Sequence, residues 1–113
     1  MAADDFDVIC YKVLAYLYRC IKEGVRPSEA GAQEIAGVNP VYWEAVMGDL
    51  VDHGFVSAAV VRTMGGTEYG AVRITSEGVA HLEESRPMAR ARAFLGGAFE
   101  AALKVAVEAS RAL

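Results

Sequence analysis

At 113 residues the chain is long enough for one domain with a modest core, since domains commonly run to about 100–150 residues. Apolar residues make up 54% and charged ones 23%, the balance of a globular chain and not of a disordered one. The net charge of −4 is unlike the basic balance of a small protein that grips phosphates non-specifically, so the placement of cations has to decide any such role.

The N-terminal Met-Ala-Ala-Asp-Asp-Phe-Asp lacks the basic and then apolar segments of a secretion signal. No apolar run reaches the ~18–20 residues that span a bilayer. The richest stretch, Ala93 to Val107, is interrupted by Glu100 and Lys104. A cytoplasmic protein without membrane contact is expected.

Asp4, Asp5 and Asp7 place negative charge at the start of a first helix, about Asp5 to Glu23, with Lys22 near its end, as the helix dipole favours. Phe6, Ile9, Cys10, Val13, Leu14, Leu17 and Ile21 recur at three- and four-residue spacing and form its core face. Cys10 and Cys20 stand ten residues apart on this helix, roughly 15 Å by its rise, too far for a disulfide and suited to packing as thiols. Gly24 ends the helix, and Ser28 caps a short second one centred on Ala32 to Ala36, closed by Gly37.

Asn39 followed by Pro40 is the start signal of a third helix, with Val38 and Trp43 at the two positions of a hydrophobic staple. That helix runs to about His53, buries Trp43, Val46, Met47, Leu50 and Val51, and stops at Gly54. The connection before it is about three residues, the length of a helix-turn-helix.

Phe55 to Thr63 reads as a strand, Met64-Gly65-Gly66-Thr67 as a hairpin turn, and Tyr69 to Ile74 as the returning strand. Thr75 or Ser76 caps a fourth helix carrying Val79, His81 and Leu82, which Ser85-Arg86-Pro87 breaks. A last helix runs from about Pro87 to Ala112. Gly96-Gly97 in its middle costs about 1 kcal/mol per glycine relative to alanine and marks a kink or break.

The expected fold is therefore α+β and mostly helical: a winged helix-turn-helix with a β-hairpin wing and a long C-terminal helix. Residues 1–86 form the winged-helix part and residues 87–113 the terminal helix, for packing or dimerisation. More narrowly, the chain resembles the YjcQ-like family of phages and prophages. The likeness rests on Phe6 to Leu17, Trp43-Glu44, Val51-Asp52-His53-Gly54-Phe55-Val56, Arg62 to Gly66, and Arg73 to Gly78 with Leu82-Glu83-Glu84. It implies a winged-helix fold with a DNA-binding or regulatory role.

The charges qualify that role. From Pro27 to Val61 there is no Lys or Arg, while Glu29, Glu34, Glu44, Asp49 and Asp52 lie in the same segment. Base and phosphate contacts draw on Arg, Lys, Asn or Gln, and on the third helix only Asn39 and Tyr42 offer donors. Contact with double-stranded DNA thus falls mainly to Arg62, Thr67 and Arg73 on the wing and to Arg86 and Arg90 where the last helix begins. The competing reading is protein–protein interaction, with the acidic third helix facing a basic partner.

The last helix is apolar around much of its circumference, which calls for burial on more than one face. It either wraps its own domain beside the first helix or makes a homodimer through Leu95, Phe99, Ala102, Leu103 and Ala106. No enzyme is expected. His53 and His81 stand alone, no metal-ligand or nucleophile motif occurs, and the glycines at the hairpin lack a following helix to cradle phosphate. Neither metal nor cofactor is implied.

Overall fold

The structure, a computed structural model, describes residues 1–112. Its elements are α1 (Phe6–Lys22), α2 (Glu29–Ala36), α3 (Pro40–Asp52), β1 (Val56–Thr63), β2 (Gly66–Ile74), α4 (Ser76–Glu84) and α5 (Arg86–Arg111). The chain is thus mostly helical, with one antiparallel hairpin among the described residues. Every helix but α1 starts where a polar side chain satisfies an orphan N–H group. Ser28 accepts from the Gly31 N–H, Asn39 from Tyr42 and Thr75 from Gly78. Ser85 ends α4 and caps α5 by accepting from Met88, so one serine makes the corner between two helices.

α1 is the centre of the molecule. Ten of its 17 residues are buried, so it packs on several sides and not along one stripe. Phe6 and Ile21, expected in the core, are exposed because they lie at the two ends of the helix, past the elements that cover its middle. α5 lies along α1, and its Met88, Ala91, Phe99, Leu103 and Val107 are buried in the same core. The terminal helix therefore belongs to the body of the molecule. The radius of gyration is 13.0 Å, close to the ~13 Å of a compact chain this long.

α5 is broken, as the paired glycines suggested. Gly96 adopts φ 62° and ψ −154°, a region open essentially to glycine alone, and separates the helix into two halves.

The hairpin turns on Met64-Gly65, with Thr63 paired to Gly66. β2 consequently begins three residues earlier than expected at Tyr69, because a two-residue turn frees Gly66, Thr67 and Glu68 for pairing. Farther along, the register shifts: Ser57 pairs with Arg73 but Ala59 with Gly70, so β2 holds one extra residue there. Ala71 takes φ 49° at this bulge. The bulge reverses the alternation of β2, and Tyr69, Val72 and Ile74 all face the core. An unbroken alternation from Ile74 would have turned Glu68 inward and Tyr69 outward.

Candidate nucleic-acid interface

Of the two residues expected to read DNA from α3, Tyr42 has its donor engaged within the chain and Asn39 is engaged as an acceptor. Asn39 spends its side-chain oxygen on the Tyr42 N–H at 2.9 Å as the cap of α3. The Tyr42 hydroxyl donates to the Asp4 carbonyl, and its ring stacks on Phe6 at 6.2 Å. Burial and the charge of Asp4 push the Tyr42 phenol above its ordinary pKa. The start of α3 is thereby tied to the N-terminal segment.

Two of the five acidic residues in the cation-free segment have a structural role that their sequence positions do not disclose. Glu44 on α3 accepts the Thr67 N–H at 2.5 Å, and Glu29 on α2 accepts the Tyr69 N–H at 3.2 Å. Thr67 and Tyr69 are two apart on β2, so their amides leave the same edge of the hairpin. A two-stranded sheet exposes such an edge to other strands, and here two carboxylates close it from adjacent helices. Glu44 lies so close to Gly66 that a Cβ there would collide with its carboxylate. Thr67, expected as a DNA contact, is half-buried and held by this bond. Of the other acids, Asp49 faces His53 at 3.5 Å, while Glu34 and Asp52 are exposed without an ion-pair partner among the described residues.

The arginines differ. Arg19 is paired with Glu100 at 2.9 Å, and Arg111 with Glu23 at 3.2 Å. Arg62, Arg73, Arg86 and Arg90 are exposed and have no ion-pair partner among the described residues. β1 alternates without interruption, so Arg62 shares the face of Val56 and Val60, while Arg73, opposite Ser57, lies on the other face. The two hairpin arginines lie on its opposite faces. Arg86 is the first residue of α5, where the helix dipole disfavours a cation, so its charge does not serve the helix.

The five α5 residues read as a dimer face are divided. Phe99 and Leu103 are buried in the chain's own core, with the Phe99 ring tilted against Tyr11 at 5.7 Å. They cannot meet a second copy, because covering α1 consumes them. Leu95 and Ala106 are half-buried and Ala102 is exposed. The outward apolar side chains of this helix are instead Phe94 and Val105, the latter 69% exposed. Val105 borders an apolar groove of about 550 Å³ between α2 and α5, shared with Ile35, Ala102 and Ala106 and flanked by Lys12 and Glu34.

His53 donates from Nδ1 to the Asp49 carbonyl at 2.9 Å and stacks on Phe55, which also stacks on His81 at 4.2 Å. These rings fasten the end of α3 to α4. Among the described residues no cluster of His, Cys, Asp and Glu could hold a metal ion, and no helix is long and apolar enough to cross a membrane. Comparison with protein-family models, with curated proteins and with solved structures finds no match for this chain.

Proposed function

We propose that the chain is a winged helix-turn-helix module of the YjcQ-like phage and prophage type, a homodimer that contacts double-stranded DNA through its wing and the start of α5. In this reading α2 and α3 are the helix-turn-helix, joined by Gly37-Val38-Asn39, and β1–β2 is the wing. The observation that carries it is that Arg62 and Arg73 on the hairpin and Arg86 and Arg90 at the start of α5 are exposed and without carboxylate partners, four of six such arginines among the described residues. α3 does not lead the contact: the Tyr42 hydroxyl is committed to Asp4 and the helix has no cation. A hairpin lying along a groove has a phosphate strand on each side, so arginines on its two faces serve one contact.

The second copy docks on the groove beside Val105, where Lys12 of one protomer meets Glu34 of its partner across a twofold axis. The specific test is binding to random duplex as a function of salt. Retention at about 50 mM salt is expected, with each of Arg62→Ala and Arg90→Ala lowering the salt slope by about 0.9. Absence of binding at low salt overturns the reading.

A second reading is favoured by Val41, 79% exposed at the start of α3, and by Met64, fully exposed at the hairpin tip. Val41 lies in a segment that holds the unpaired Glu34 and Asp52 and no cation, which suits a basic protein surface better than a phosphate backbone. Under that reading Val41→Asp abolishes partner capture, and duplex is never retained.

A further inference from the structure

A groove of about 580 Å³ lies between α1, α4 and the two halves of α5, within the ~300–1,000 Å³ usual for small-molecule sites. Its floor holds Tyr11, 6% exposed, whose hydroxyl has no hydrogen-bond partner among the described residues. Its ring is buried, tilted against Phe99 at 5.7 Å, while the hydroxyl is open to the groove and free to bond a group that enters it. Arg19, Arg92 and Glu100 line the groove with it, and all three act on the charge of its phenol.

The charged lining is graded. Arg19 is committed to Glu100 at 2.9 Å, and Lys22 stands 4.3 Å over the Tyr18 ring. Arg92, exposed on the other wall, has no ion-pair partner among the described residues. Three cations face Glu83 and Glu100, an excess of one positive charge. Tyr18 and Leu82 supply apolar wall. At Gly96, where α5 breaks, an added Cβ would meet nothing within 4 Å, so the break opens onto free space.

We propose that this groove binds a small organic monocarboxylate with a flat apolar body, its carboxylate meeting Arg92 and the Tyr11 hydroxyl. The charge excess of one suits a single carboxylate, and Glu83 and Glu100 disfavour multiply charged anions such as phosphate. The body rests against Tyr18 and Leu82, where burial of apolar surface supplies affinity. The site is independent of DNA binding, since none of its residues is among the four arginines proposed to touch phosphate.

The test is a ¹H–¹⁵N titration of the full chain with 2-naphthoate, compared with neutral 2-naphthamide and with inorganic phosphate. Saturable shifts are expected at Tyr11, Ala15, Gly96 and Gly97, with naphthamide weaker by about tenfold. Arg92→Gln, at an exposed position, lowers naphthoate affinity by about tenfold or more. Tyr11→Phe weakens binding while leaving the melting temperature unchanged or raised, because the hydroxyl it removes has no partner in the protein. Four results overturn the proposal: no saturable shift up to about 10 mM naphthoate, shifts centred elsewhere, equal affinity for naphthamide or phosphate, or a lower melting temperature for Tyr11→Phe.

Discussion

Tyr16 shows how one side chain joins three helices. It is fully buried; its hydroxyl accepts the Ser28 N–H at 3.2 Å and donates to Ser110, which in turn donates to the Ala106 carbonyl at 3.0 Å. The start of α2 and the end of α5 are thereby tied to α1. Gly31 is required beside it, since a Cβ there would collide with the tyrosine hydroxyl. Tyr16→Phe leaves the Ser28 N–H and the Ser110 hydroxyl short of a partner, a loss of about 1–3 kcal/mol by urea unfolding. A loss under about 0.5 kcal/mol would mean that the chain of bonds contributes nothing net. Cys10 makes a second prediction at this scale. Burial, with added repulsion from Asp49 and Asp7, pushes its thiol up to about 12. In the unfolded chain it ionises near 8.5. The folded state therefore holds this proton longer, and the stability linked to it is complete below about pH 8.5 and is lost as pH rises towards about 12. Unfolding midpoints measured from pH 8 upward should fall for the wild type and fall less for Cys10→Ala, and a thiol reagent at pH 8 should label Cys10 only as fast as the chain opens.

Among the elements, the hairpin departs most from its sequence pattern. Alternation alone would place Glu68 in the core, and the bulge at Ala71 replaces it with Tyr69. The cost falls on Ala71, whose φ of 49° disfavours any side chain. Ala71→Gly should raise stability by about 0.5–1 kcal/mol, the relief of strain exceeding the entropy glycine loses on folding. Unchanged or lower stability in thermal unfolding would show that Ala71 is not strained. The hairpin edge tells a related story about charge. Glu29 and Glu44 read in sequence as phosphate-repelling, yet they accept the edge amides of β2. The acidic face of α2 and α3 is in part the means by which those helices hold the hairpin. α5 was the most legible element in outline: its start beside Pro87, its end and the break at its glycines all follow from local signals, while its Ser85 cap emerged only in the structure. Which of its faces stayed outside was not legible, because Phe99 and Leu103 are as apolar as Phe94 and Val105.

For the whole molecule the open matter is what covers Val105 and the groove beside it. If a second copy does, the wild type scatters light as a dimer at micromolar concentration, and Val105→Asp, at an exposed position, becomes monomeric without losing its fold. A monomeric wild type ends that idea. The order of the elements and most of their starts and stops were legible in the sequence, the start of β2 excepted, because caps, left-handed glycines and turn residues act within three or four residues of themselves. Ser28, Thr75, Asn39 before Pro40, and glycines at Gly37 and Gly54 sufficed. Only the tertiary structure decided what the charges and aromatics do. Glu44 meets Thr67 across 23 residues, Glu29 meets Tyr69 across 40, and Tyr16 meets Ser110 across 94. Such pairings depend on how helices lie against one another, and no local spacing encodes that; the same holds for the groove around Tyr11 and Arg92, whose walls join α1 to the distant α4–α5 pair.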